Sequence, residues 1–324
     1  MTTTKSVTQD EVGILLAAAG LAPSMHNTQP WRFEINGPVI DVLLDPDRTL
    51  PTTDPANRFI RIGLGAATFN LRVAAAMLGH DTTIAIDPDP ATPDVVVRIF
   101  LADRKVPVAG LSSLYGELAR RYTYRGPMAD RPISSRMTKL LTEAARAERA
   151  DLRWLDDQQR THLGSIIRAA DDRDLHEEDR LHERLRWIGG DRDTEGVPDS
   201  VLGPLPTSPA AVRDLSAGRA TPHRSQAAFE AKPIIAVLAT ADDDETAWVR
   251  AGLALERVLL TATSYSLAAS FLNQAIEYPP LRDEVHTLIG HDSWPQLIIR
   301  FGYPTESSGL TPRRPWNETL NYQR

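Results

Sequence analysis

The apolar positions along the chain predict a helix–strand series that occurs twice. Val12, Leu15, Leu16 and Ala19 share one face of a first helix over residues 12–21, and Thr8 with Glu11 three residues on fits a capping box at its start. Strands follow over 32–35 and 39–44, then a loop rich in Pro and Asp. Residues 60–78 read as a long helix stopped by Gly79. Its Gly63, Gly65, Ala66, Ala67, Ala74, Ala75 and Ala76 allow close approach of a neighbour, so the helix is expected to be buried. Strands over 83–86 and 95–101 close the first series.

Residues 111–121 are predicted to be helical, and a helix over 134–149 opens the second series. Leu140 and Leu141 echo Leu15 and Leu16, and the strand over 152–155 carries Trp154 where the first carries Trp31. A strand over 233–239, a helix over 248–267 with the same small-residue habit, a helix over 281–289 and a strand over 296–301 follow. Trp31 stands 34 positions before Gly65, whereas Trp154 stands 98 before Gly252. The surplus is an insertion within about 166–231, rich in charge, Pro and Gly. It is expected to be either a lid or a surface elaboration with no gating role.

Composition narrows the classes. The chain has 324 residues, a net charge of −7 and 42% hydrophobic residues, enough for a real core and unlike a general nucleic-acid binder. It has no cysteine, which removes disulfides, thiolate metal sites and Cys nucleophiles. The first eleven residues lack the apolar core of a signal peptide, and the longest apolar run, 13–22, is too short to span a bilayer. A soluble cytoplasmic protein is expected, with no membrane or nucleic-acid partner. Gly63-Leu64-Gly65 lacks the third glycine of a dinucleotide fingerprint, and no Gly-x-Ser-x-Gly elbow occurs. His176 and His182 are six apart, not the four that a zinc helix needs, so no metal site is expected. Asp242-Asp243-Asp244-Glu245 reads as an acidic helix start, and Trp187, Trp248, Trp294 and Trp316 as packing residues.

The candidate chemistry begins between the first helix and the first strand. There the chain reads Ala22-Pro23-Ser24-Met25-His26-Asn27-Thr28-Gln29-Pro30-Trp31-Arg32-Phe33. Pro23 and Pro30 stiffen the turn, and Ser24, Asn27, Thr28 and Gln29 present donors and acceptors from a preset backbone. Taken singly, each of these residues reads as a helix stop with Asx-turn chemistry. The whole string resembles the Ala-Pro-Ser-x-x-Asn-x-Gln-Pro-Trp signature of the FMN-dependent nitroreductase family. Further segments fit the same resemblance. Arg121, Thr123 and Arg125 alternate, so an extended backbone puts them on one face. They are similar to the family's Arg-x-Ser-x-Arg/Lys box, with Thr in place of Ser. Arg300 to Pro304 and then Thr311-Pro312-Arg313-Arg314-Pro315 resemble its closing strand end and Arg-x-Pro segment.

The resemblance implies an α+β, nitroreductase-like fold of two similar lobes, each a sheet flanked by helices. The lobes would be 1–117 and 118–324, meeting along the long helices at a pseudo-two-fold interface. Length and asymmetry resemble the Acg-type subfamily, a fused pseudo-dimer within one monomeric chain. FMN is the implied cofactor, one per chain, because the proline-bracketed turn occurs only in the first copy and the cation box precedes only the second. Pro23, Ser24, His26, Asn27, Thr28, Gln29, Trp31 and Arg32 would lie at the flavin. Arg121 and Thr123 would hold phosphate with Thr311 and Arg313, Arg314 being the second choice, and Arg125 would approach flavin N1/O2. Asn273 and Gln274 stand where the family has a Glu-Gly pair below N5, and Leu272 beside them would also lie at the flavin; His223 and Gln226 are weaker candidates. The implied activity is NAD(P)H-dependent reduction of a nitroaromatic or quinone-like acceptor at flavin N5, with no catalytic side chain. The alternative is an FMN storage protein whose insertion shields the flavin.

Overall fold

The computed structural model describes residues 7–103, 110–208, 212–216, 219, 221 and 224–321. The first series runs α1 (Gln9–Gly20), β1 (Trp31–Asn36), β2 (Val39–Leu44), α2 (Arg58–Leu78), β3 (His80–Ile86) and β4 (Val95–Asp103). The predicted capping box holds α1, with the Glu11 amide donating to Thr8 Oγ1 and the Thr8 amide donating to the Glu11 carboxylate. The second series begins with α3 (Ser135–Arg146) and β5 (Asp151–Trp154). An excursion carries α4 (Asp157–Asp174), α5 (Glu178–Trp187) and a two-residue parallel pair, β6 (Leu205–Pro206) with β7 (Gln226–Ala227). Then come β8 (Ile234–Thr240), α6 (Glu245–Ser264), β9 (Ala268–Phe271), α7 (Pro279–Ile289) and β10 (Trp294–Gly302).

The two main sheets have one topology. The first is ordered β1-β2-β4-β3 and the second β5-β8-β10-β9, antiparallel throughout. Strand for strand the chain visits both sheets in the same sequence. The long helices α2 and α6 pack on each other, and each enters the other lobe's core. Phe59 and Ile62 of α2 join the cluster around the second sheet; Val249, Leu253 and Leu260 of α6 join the cluster around the first.

Four details depart from the sequence expectations. Residues Leu111–Glu117 form a 3₁₀ segment rather than a helix to 121, with Leu111, Leu114 and Tyr115 only partly buried against the first core. β9 falls where no strand was predicted; its Ala-Ala-Ser-Phe run has little strand signature. α3 ends at Arg146, because Arg149 takes φ +63°. The excursion also starts earlier than predicted, directly after β5. It stands where the first series has only Gly37 and Pro38 between β1 and β2.

That excursion is packed, not solvated. Trp187, Ile188, Val197, Val201, Leu202 and Leu215 form a cluster with Leu50 of the first lobe. The Glu183 carboxylate accepts from the backbone amides of Thr52 (2.9 Å) and Thr53 (2.8 Å). Beneath it runs a buried ion network. Arg213 pairs with Glu277 and Asp174, Arg180 with Glu277 at 2.9 Å, Arg184 with Asp174, and the Tyr278 hydroxyl donates to Asp174 at 2.7 Å. Of the four tryptophans read as packing residues, Trp187 is buried, Trp316 lies against Gly13, Trp248 donates to Asp243 and Trp294 stacks on His286. Among the described residues no helix is long and apolar enough to cross a membrane.

Candidate functional site

The polar turn after α1 is built on an unusual backbone. His26, Asn27 and Gln29 have φ of +50°, +56° and +51°, the left-handed region that non-glycine residues rarely enter. Such strain persists only where surrounding bonds over-determine it. Here the Gln29 amide donates to Ser24 Oγ at 2.9 Å, and Asn27 ties three distant stretches together. Asn27 Nδ2 donates to the Gly196 carbonyl (2.9 Å) and the Pro312 carbonyl (3.0 Å), while its Oδ1 accepts from Arg313 Nη1 (2.7 Å). The Gly196 amide returns a bond to the Asn27 carbonyl at 3.1 Å.

Pro23, Ser24, His26 and Asn27 line a cavity that they share with Arg121, Thr123, Arg125, Asn273, Thr311 and Arg313. Residues from the first lobe, the second lobe and the C-terminal segment thus meet at one place. Phe59 and Ile62 of α2, Leu255 of α6, Phe271 at the end of β9 and Leu297 of β10 supply apolar walls. Thr123 bridges to Ala269 of β9, which fixes the extended backbone on which Arg121 and Arg125 alternate.

Seven expected site residues do not line this cavity. Trp31 is fully buried in the first core, and Arg32 pairs with Asp45 and Asp47 at the surface. Successive strand residues point to opposite faces, so the two cannot both face one cavity, and neither lines this one. Thr28 is buried with its hydroxyl unpartnered. Gln29 is a brace: Nε2 donates to the Thr194 carbonyl (2.7 Å) and Oε1 accepts from the Arg314 amide (2.9 Å). Arg314 itself turns to Asp45 at 3.6 Å. Leu272 belongs to the second core, and Gln274 is buried behind Asn273 with both amide atoms unpartnered. Of the weaker candidates, Gln226 lies in β7 and His223 falls outside the described residues.

The charges are unbalanced. Arg121 Nη2 and Arg313 Nη2 both donate to the Leu21 carbonyl, at 2.8 and 3.3 Å. A single buried carboxylate, Glu256 of α6, answers them, its Oε1 3.3 Å from Arg121 Nε. Burial outweighs Arg121 and raises the Glu256 pKa to about 7; burial and then the Arg121 charge lower Arg313 to about 9. Arg125 is lowered to about 10 by burial alone, and its guanidinium makes one bond, to the Val201 carbonyl at 3.2 Å. His26, lowered to about 3 chiefly by burial and then by Arg213, is neutral near pH 7, with Nε2 unpartnered. Such a site suits a flat molecule with an anionic tail: apolar walls for the plane, surplus guanidinium for the charge. Among the described residues no group of three or more His, Asp or Glu could hold a metal ion.

Glu256, Arg213 and Glu277 escaped the sequence reading. Glu256 carried a signal, a lone acid inside the apolar run Leu253 to Leu260. Arg213 and Glu277 had none, because their pairing joins a loop to a segment 64 residues away.

No protein-family model matches the chain. Among curated proteins it is 31% identical over 319 residues to the "Putative NAD(P)H nitroreductase Rv3131" of Mycobacterium tuberculosis (strain ATCC 25618 / H37Rv), covering 97% of this chain and 92% of that protein. The chain belongs to the nitroreductase family, among its Acg-type members. It is also 29% identical over 320 residues to "Putative NAD(P)H nitroreductase acg" of the same organism, covering 97% and 96% of the two chains. Among solved structures, a nitroreductase with bound FMN from Bacteroides fragilis is 15% identical with a TM-score of 0.39, covering 62% of this chain and 94% of that one. By that membership, which rests on the curated relatives, the two sheet-and-helix lobes with their shared strand order are an α+β, nitroreductase-like fold.

Proposed function

We propose that this chain is an FMN-dependent oxidoreductase that takes a hydride from NAD(P)H and delivers two electrons to a small nitroaromatic or quinone-like acceptor. The observation that carries the reading is the cavity where Pro23 to Asn27, Arg121 to Arg125 and Thr311 to Arg313 converge, with more guanidinium than carboxylate on its lining. FMN, when bound, supplies the redox chemistry through its ring. The protein's own residues do the rest. Arg121, Thr123, Thr311 and Arg313 would hold the phosphate, whose dianion completes the charge that Glu256 leaves unmet. Arg125, a half-buried cation with no ion-pair partner among the described residues, would stabilise negative charge on the ring. The walls from α2, β9 and β10 exclude water.

The turn exists only in the first lobe and the cation row only before the second, so the parts make one site. This supports one FMN per chain and a monomer that acts as its own pseudo-dimer. A second reading, FMN storage behind a shield, is favoured by one observation: the excursion contributes Val197, Val212, Arg213 and Leu215 to the cavity wall and is fastened by the Asn27–Gly196 exchange. Anaerobic mixing of the holoprotein with NADPH or NADH separates the two. Rapid loss of the flavin's visible absorbance is expected for the reductase; no loss, with dithionite still effective, leaves storage.

A further inference from the structure

A second, larger cleft of about 1000 Å³ opens between α4 and the loops around β6 and β7. It adjoins the central cavity: Arg125, Val212 and Arg213 line both, so one layer of side chains divides them. Its size is at the upper end of small-molecule sites, more than a monocyclic acceptor needs. Ile167, Leu202, Pro204 and Pro206 give it apolar surface. Phe229 adds a ring backed by the Arg300 guanidinium, 5.3 Å from its centroid.

Most charges on this cleft are already matched. Arg160 pairs with Asp157, Arg184 with Asp174, Arg224 with Asp214, and Glu230 with Arg300. Arg168 and Lys232 are exposed on its walls and, like Arg125 at the divide, have no ion-pair partner among the described residues. Asp171 is the one lining carboxylate without an ion pair among them, and burial raises its pKa to about 6. The cleft therefore has a surplus of positive charge beside apolar and aromatic surface, a combination that suits a phosphorylated organic anion with a flat heterocycle.

We propose that this cleft receives the phosphate-bearing adenosine half of the nicotinamide dinucleotide, with Arg168 and Lys232 facing its phosphates and the Arg125–Val212–Arg213 layer marking the passage to the central cavity. The proposal rests on the reductase reading for its choice of occupant. A dinucleotide that reduces a group in the central cavity must keep its remaining length somewhere. This cleft adjoins the central cavity and has cations, Arg168 and Lys232, that no carboxylate among the described residues pairs with and that can meet pyrophosphate. A small aromatic acceptor carries no phosphate and would gain nothing from these cations.

The test uses fragments that cannot do redox chemistry. ADP and adenosine 2′,5′-bisphosphate are titrated calorimetrically into the holoprotein and into an Arg168→Ala/Lys232→Ala variant. Both side chains are exposed, so the variant is expected to melt with the wild type. Expected is binding of at least one fragment that weakens about tenfold or more in the variant and falls as salt rises. Absence of binding to the wild type, or equal binding by both proteins, overturns the proposal. The KM for NADPH is expected to rise in the variant with kcat retained. If NADPH bleaches the flavin with the same concentration dependence in both proteins, the cleft assignment falls and the reductase reading stands. If NADPH never bleaches the flavin while fragment binding is lost in the variant, the reductase reading falls and the cleft stands as a nucleotide site.

Discussion

Gly65 of α2 and Gly252 of α6 meet in a reciprocal contact. A Cβ on Gly65 would lie 3.0 Å from the Gly252 Cα and overlap the Val249 carbonyl oxygen; a Cβ on Gly252 would overlap the Ile62 carbonyl oxygen. Each carbonyl belongs to the residue three positions before the other helix's glycine, so exchanging the helices reproduces the contact. The contact therefore has local two-fold symmetry. It also sets the separation of the lobes, and with it the distance from the turn after α1 to the arginines before α3.

Gly65→Ala is therefore expected to force the helices apart and destabilise the protein by about 3 kcal/mol or more. Gly20→Ala serves as the control, since nothing lies within 4 Å of the new methyl group, and is expected to be neutral or slightly stabilising. Urea midpoints of the two variants check the contrast.

Arg121→Ala and Arg313→Ala are each expected to weaken FMN binding roughly 10- to 100-fold, the loss of charge-assisted bonds to a phosphate. Riboflavin, which lacks the phosphate, is expected to bind both variants about as it binds the wild type. Fluorescence titration with the two flavins gives the comparison; an equal loss for riboflavin would place these arginines away from the phosphate.

Glu256 gives a pH dependence with a defined sign. Its folded pKa, about 7, lies above the ordinary 4.5, so between those values the native flavin-free protein holds a proton that the unfolded chain has released. Its contribution to stability is full below pH 4.5, falls as pH rises towards 7 and is flat above. Glu256→Gln does not titrate. The melting temperature of the variant relative to the wild type is expected to climb across pH 4.5 to 7 and then level. A constant difference over that range contradicts the assignment.

Glu183→Ala removes the carboxylate that receives the Thr52 and Thr53 amides and leaves two backbone donors without partners. A cost of about 2 kcal/mol is expected. Limited proteolysis should cut within the excursion sooner than in the wild type, with the sheets left intact. If the excursion shields the flavin, the same variant is reduced faster by NADPH.

Much of this was readable in the residues, for physical reasons that differ by element. The small residues of the long helices announced a close approach, and Gly65 with Gly252 is where it occurs. That Arg121 and Arg125 share a face was legible in their alternation, whereas Arg313 had no sign beyond the Arg-x-Pro spacing of the resemblance; all three line the one cavity. Trp31, Arg32 and Gln29 belong to the same string but serve the core, the surface and the C-terminal brace, a division that depends on strand facing and tertiary partners. The early start of the excursion did have a local sign. Asp156 and Gln159 form a capping box at the head of α4, with amide-to-side-chain bonds of 2.8 and 3.1 Å. The Arg213–Glu277 pair had no local sign, since neither residue sits in a periodic pattern.

The central claim is that the two halves of the chain build one flavin site between them. Titration of the flavin-free protein with FMN, read from the absorbance of flavin retained on the protein, tests it most directly. The account predicts saturation at one FMN per chain, with uptake reduced in Arg313→Ala. Saturation at two per chain, or a protein that retains none, contradicts it.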